Sequence, residues 1–170
     1  SGAADKIEVL GNADLSALDV TSALGVEELN VNGDFTVIID KDFVDSSGVG
    51  SYTGGVTFSD VVQINLTDGQ DIDISGKTIS GLNYVGITVA SGGADSTITG
   101  KTGIDNVVIV ADGTNDITLG SGNDTVTGGS GVDVITLGGG NDTVSSGAND
   151  DVIKINTGSF TRNDDLDGEA

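Results

Sequence analysis

The 170-residue chain contains no cysteine, histidine, methionine, proline or tryptophan. Without Cys or His there is no disulfide, no thiolate, no Ser-His or Cys-His nucleophile and no ordinary zinc site. Aromatic residues make up only 4%, too few for a thick globular core. Basic residues number six against 27 acids, for a formal charge of −21. Nucleic acid and anionic lipid are recognised by clustered Lys and Arg, so binding to either is excluded. No run of about 18 apolar residues is present, so no helical membrane insertion is expected. No signal-peptide pattern opens the chain. The absence of Met leads us to expect a fragment or processed product.

What is present is equally uneven. Four of the 27 acids are Glu and the rest are Asp, beside 28 Gly. Asp and Gly favour turns over helix interiors, which excludes helical bundles and coiled coils. Hydrophobic residues reach 36% and are mostly β-branched or Leu in short alternating runs. That composition argues against disorder and suits a thin core of aliphatic ladders.

Residues 119–154 read as four nonapeptides: LGSGNDTVT, GGSGVDVIT, LGGGNDTVS and SGANDDVIK. The sixth place is always Asp (Asp124, Asp133, Asp142, Asp151) and the eighth always aliphatic (Val126, Ile135, Val144, Ile153). Upstream, VADGTNDIT (110–118) keeps the phase with Asn115 and Ile117. GKTGIDNVV (100–108) fits if Ile109 is an insertion, and SGGADSTIT (91–99) has Ser96 at the sixth place. Residues 119–136 and 137–154 match at eleven aligned places, a second period of eighteen above the nine. One nonapeptide is then half a coil, and two complete a turn with a strand on each side.

In each half-coil, places seven to nine alternate out, in, out as a short β-strand. Val126, Ile135, Val144 and Ile153 point inward. The other six residues turn the chain, helped by Gly. Coils stack at about 4.8 Å, which brings Asp124 beside Asp142 and Asp133 beside Asp151. Like charges at that spacing repel, and a cation between them removes the repulsion.

These residues resemble the RTX (repeats-in-toxin) family, whose nonapeptide is G-G-x-G-x-D-x-U-x and which forms a calcium-binding parallel β-roll. The resemblance implies that each turn binds Ca²⁺ through backbone carbonyls and the sixth-place Asp, each ion lying between turns two nonapeptides apart. Carried over, the pairs are Asp124 with Asp142 and Asp133 with Asp151. Asn115 would offer an oxygen in the same place, and Gly120, Gly122, Gly129, Gly131, Gly138 and Gly140 would contribute the turn backbone. Oxygen donors of this kind suit several Ca²⁺ ions rather than a soft metal. Asn149 stands at the fourth place of the last turn, where the other three carry Gly.

The expected fold class is all-β: a parallel β-roll or β-solenoid with calcium-binding nonapeptide turns, preceded by a less regular β-solenoid region. The expected divisions are an irregular region at 1–90, the β-roll at 91–155 and an acidic tail at 156–170 that frays. In the first region β segments are expected at Lys6–Leu10, Leu18–Val20, Leu29–Val31, Phe35–Ile39, Val61–Leu66, Asp71–Ile74 and Tyr84–Val89; a small β-sandwich is the alternative. Ala13–Leu18 or Thr21–Glu28 could form a helical turn, and Asp45–Gly55 a protruding loop. Asp40, Asp42 and Asp45 lack the spacing and Gly of an EF-hand. The Gly-Lys-Thr triplets at 76 and 100 lack the earlier Gly and the following helix of a P-loop. The Asn-x-Ser/Thr triplets at Asn123 and Asn141 fall inside the turns and are read as turn residues.

The expected function is non-catalytic: a calcium-binding structural module of a secreted bacterial cell-surface protein, an S-layer subunit or adhesin. The resemblance implies type I secretion, an extracellular location, and folding after export. Self-association, or contact with neighbouring domains of the same parent protein, is the expected partner mode. A calcium-dependent accessory domain of a secreted enzyme or toxin is the alternative. An ice-binding solenoid, suggested by the outward Thr125, Thr127, Thr143 and Ser145, is a minor one.

Overall fold

A computed structural model describes residues 5–9, 11–15, 26–31, 36–40, 51–54, 61–67, 69–80, 82–156, 160–161 and 164–168. Every regular element among them is a β-strand: β1 Asp5–Val9, β2 Ala13–Asp14, β3 Val26–Val31, β4 Thr36–Asp40, β5 Ser51–Gly54, β6 Val61–Leu66, β7 Ile72–Asp73, β8 Thr78–Ser80, β9 Tyr84–Val89, β10 Thr97–Thr99, β11 Asp105–Ile109, β12 Asp116–Thr118, β13 Thr125–Thr127, β14 Val134–Leu137, β15 Thr143–Ser145, β16 Val152–Ile155 and β17 Asp165–Asp167. The chain divides into two compact units: residues 1–65 with 76–85, and residues 66–75 with 86–170.

In the first unit, parallel strands run in the order β1-β3-β5-β8 on one sheet and β2-β4-β6 on another. Consecutive strands of the chain thus alternate between sheets, as a coil requires, while the interval along the chain varies. Val61, Val62, Ile64, Leu82 and Val85 are buried. The expected strands at Val61–Leu66 and Tyr84–Val89 are found as β6 and β9, and those at 6–10, 29–31, 35–39 and 71–74 correspond to β1, β3, β4 and β7 with ends shifted by a residue or more. Leu18–Val20 lies outside the described residues. Three expectations are corrected. Ser51–Gly54, placed in a protruding loop, is β5, with Tyr52 paired to Leu29 and to Ile79. Ala13–Asp14 and Val26–Glu28, weighed as helical turns, are strand. In β5, local Gly and Ser content was outweighed by partner strands on both sides.

In the second unit, β7-β10-β12-β14-β16 forms one parallel sheet and β9-β11-β13-β15-β17 the other run. The pairing follows the period of eighteen: Thr125↔Thr143, Val126↔Val144 and Thr127↔Ser145 on one side, Val134↔Val152 and Ile135↔Ile153 on the other. Each coil therefore lays like residues over one another at the inward places, Val126 over Val144 and Ile135 over Ile153. Ile72, Ile98, Ile117 and Ile135 make one inward column, and Val108, Val126 and Val144 the facing one, all at most 3% exposed. Ile153 continues the first column but is half-buried on the terminal strand of its sheet. Exposed Val152, at 45%, looks outward as the alternation requires.

Two register details differ from expectation. The insertion is not at Ile109, which pairs with Thr127 inside β11. Instead KTGIDNVVI (101–109) keeps the phase, and the extra residue lies upstream, where Thr97 pairs with Asp116 nineteen residues on. The tail does not simply fray: Asp165–Asp167 is β17, which adds a strand beside β15 with Leu166 over Val144.

Candidate metal centre

Each six-residue turn of the second unit buries the residue at its sixth place. Asn106, Asn115, Asp124, Asp133 and Asp142 are at most 2% exposed, and Asp151 is half-buried. Burial of ionisable Asp among backbone is costly unless each oxygen finds a partner. One oxygen of each does. The backbone N–H of Asp124 donates to Asp142 Oδ1 at 3.0 Å, and that of Asp133 to Asp151 Oδ1 at 2.9 Å. The same bond links Asn106 to Asp124 and Asn115 to Asp133. The predicted pairs thus come together as a ladder, each amide bonded to the carboxylate of the turn above.

The ladder also exposes a residue that the sequence phase concealed. Asp142 N–H donates to Asp164 Oδ1 at 3.0 Å, across 22 residues rather than eighteen. Asp164 therefore stands at the sixth place of the next turn, and Thr161 N–H holds its Oδ2 at 2.7 Å. The Asp-Asp-Leu-Asp run at 164–167 stands over the Asp-Thr-Val-Ser of 142–145, but the longer turn hid the alignment. Asn106 was likewise missed, because the phase had placed Asp105 at the sixth place.

The second carboxylate oxygen behaves differently. Oδ2 of Asp124, Asp133 and Asp151 is buried without a hydrogen-bond partner. Three buried carboxylate oxygens without partners are strongly unfavourable as they stand, and they are the donors a hard cation needs. A carbonyl stands close to that of Asp133. A Cβ built on Gly128 would overlap the Ser146 carbonyl oxygen and lie 2.8 Å from Asp133 Oδ2. Two oxygens from successive turns therefore face one space that only Gly leaves open. Among the described residues no three acidic side chains are grouped to hold a metal, so the cage needs backbone oxygens as well.

The glycines make this approach possible. At the fourth place Gly122, Gly131 and Gly140 have φ of 145°, 137° and 144°, a region L side chains avoid. A Cβ on Gly131 or Gly140 would overlap the carbonyl oxygen of Gly113 or Gly122 in the turn below. A Cβ on Gly129 or Gly138 would likewise overlap the carbonyl oxygen of Ala111 or Gly120, and one on Gly120 would overlap the Thr102 side chain. Asn149 takes the fourth-place role with φ 89°, which Asn tolerates, and the last turn closes through Ala148 N–H to Gly129 O at 3.0 Å.

The charge balance follows from this packing. Burial pushes the Asp124 carboxyl up from its ordinary value of 3.8 to about 6; hydrogen bonds from Asn106 oppose the rise, and the Asp142 and Asp105 charges add to it. Asp142 is raised for the same leading reason. Asp164 is lowered, because the amides of Thr161 and Asp142 donate to it.

Asn115, expected as an oxygen donor, is oriented otherwise. Its Oδ1 accepts from Ser96 N–H at 3.2 Å, and its Nδ2 donates to Asp133 Oδ1 at 3.0 Å. It presents an NH₂ to the turn above, not an oxygen.

The family model for the RTX calcium-binding nonapeptide repeat (4 copies) matches residues 109–144 and, one nonapeptide on, residues 118–153. These matches cover the turns that carry Asn115, Asp124, Asp133, Asp142 and Asp151. No curated protein and no solved structure matches the chain.

Proposed function

We propose that the chain is a non-catalytic, calcium-dependent structural module of a secreted bacterial cell-surface protein, an S-layer subunit or adhesin. The observation that carries the metal reading is the set of unpartnered, buried Oδ2 atoms of Asp124, Asp133 and Asp151. Bound calcium would supply the positive charge that these oxygens lack. The chain's own part is to hold one oxygen of each carboxylate on the amide below, leaving the other free, and to bring turn carbonyls beside it. Asp124, Asp133, Asp142 and Asp151, with the backbone around Gly120, Gly122, Gly129, Gly131, Gly138 and Gly140, would hold the ions.

The physiological logic is one of charge. With 27 acids and six bases, the Asp-bearing coils repel one another in low calcium and stay open, a state suited to export. Sites in the range of about 10⁻⁴–10⁻³ M fill only outside the cell, and each adds RT ln(1 + [L]/Kd) to folded-state stability. Folding after type I secretion and calcium-promoted self-association are parts of this reading. The ice-binding alternative loses support: the hydroxyl rungs Thr125/Thr127 and Thr143/Ser145 are flanked by Val107/Ile109 below and Asp165/Asp167 above.

Isothermal titration calorimetry with Ca²⁺ and Mg²⁺ tests the metal reading. Saturable calcium binding with much weaker magnesium binding is expected; no binding at millimolar calcium would overturn it. Light scattering of the same samples tests assembly, with the particle mass rising on calcium addition and falling again with chelator.

A further inference from the structure

The sixth-place ladder contains two chemically different kinds of step. Between Asp124 and Asp142, and between Asp133 and Asp151, both members are carboxylates. A backbone N–H donating to the carboxylate above is the hydrogen bond that crosses from one to the other, and no side-chain donor joins it. Between Asn106 and Asp124, and between Asn115 and Asp133, the lower member is an amide and the space beside it is spanned.

Asn106 Nδ2 donates to Asp124 Oδ1 at 2.8 Å, to Lys101 O at 3.0 Å and to Ile104 O at 3.1 Å. Asn115 Nδ2 donates to Asp133 Oδ1 at 3.0 Å, to Gly113 O at 3.2 Å and to Asp112 O at 3.3 Å. Each NH₂ thus collects a carboxylate oxygen from the turn above and two carbonyl oxygens of its own turn. That is the donor set of a hard cation, gathered instead around a partially positive nitrogen. The orientation is fixed chemically: a flipped amide would set Oδ1 against three oxygens and no donor. Asn115 Oδ1 is in any case engaged by Ser96 N–H.

We propose that Asn106 and Asn115 are built-in substitutes for calcium: their amide groups take the inter-turn position of an ion at the base of the repeat array, so these two steps close without metal. The proposal rests on the calcium reading of the neighbouring turns. Its consequence is a division of labour. The coils around β10, β11 and β12 form a metal-independent template, and the coils from Asp124 onward stack upon it as calcium binds. An array with Asp at every step would have to start on an acid-acid step, and starting a stack is the entropically costly event.

Two substitutions of nearly equal volume test this: Asn106→Asp and Asn115→Asp. Each replaces the NH₂ by an oxygen and restores an acid-acid step. Calorimetric or native-mass stoichiometry should rise by about one calcium ion per substitution relative to the unsubstituted chain. In chelator, hydrogen exchange at Asp116–Thr118 and Asp105–Ile109 should be slow in the unsubstituted chain and fast in the double variant, with calcium restoring protection. If the unsubstituted chain binds calcium while the variants bind the same number of ions, the inference is overturned and the calcium reading stands. Should the unsubstituted chain bind no calcium, the calcium reading itself fails. Uniformly fast exchange of the metal-free chain at these strands would also overturn the template.

Discussion

Asp124 concentrates the electrostatic cost of stacking the turns. Its carboxyl binds a proton more tightly in the folded chain, at about 6, than at its ordinary value of 3.8. A raised carboxyl favours the fold where it is protonated in both states, and this contribution is lost as pH rises through the window from 3.8 to about 6. The difference is at most about 3 kcal/mol, reduced by solvent screening. In chelator, the β signal in circular dichroism should therefore rise as pH falls from neutrality toward 4.5, and Asp124→Asn should flatten that dependence while weakening calcium binding. A metal-free β signal that falls over that range would contradict the assignment. Asp142 shifts in the same direction. Glycine at the fourth place is a second single-residue requirement. Gly131→Ala adds a Cβ that overlaps Gly113 O at a φ of 137°. A loss of about 1–3 kcal/mol is expected, measured as a higher calcium midpoint for folding.

The strands are three to six residues long in most of the chain, too short to be stable singly, so their stability lies in the columns they form. Ile135 is fully buried between Ile117 and Ile153. Ile135→Ala should cost about 2–5 kcal/mol, by comparison of urea unfolding in saturating calcium. β17 has a more specific role. Its Asp167 carbonyl accepts from Ser146 N–H at 2.9 Å and Asp142 carbonyl accepts from Asp165 N–H at 2.8 Å. Truncation after Asn156 should therefore raise the calcium midpoint rather than leave it unchanged as for a fraying tail. The elements legible in the sequence were those whose repeat length is constant: β13 to β16 follow from Asp and aliphatic places recurring every nine residues. β17 and Asp164 were hidden by a longer turn, and Asn106 by an insertion assigned to the wrong side of its strand. β5 was hidden because its Gly and Ser content reads as loop, while its pairing partners lie far away in the chain. Of the site, the paired aspartates were legible because like charge repeating at a fixed interval demands a counter-ion. That Asn115 turns its NH₂ rather than its oxygen upward is set by the carbonyls around it, and no sequence spacing encodes that.

At the scale of the whole molecule, a chain with formal charge −21 and 28 glycines starts with both repulsion and backbone entropy against order. The aliphatic columns are thin, and the turns between them bury carboxylates whose second oxygens have no protein partner. On the proposed reading, a divalent ion at each such step would offset both terms at once, and stacking would make each filled step favour the next. The most direct test is far-ultraviolet circular dichroism of the chain in chelator, followed by calcium titration at neutral pH. The account predicts a partial β signal without metal, a steep sigmoidal rise as calcium is added, and reversal by chelator. A β signal already complete in chelator and unchanged by calcium would contradict it.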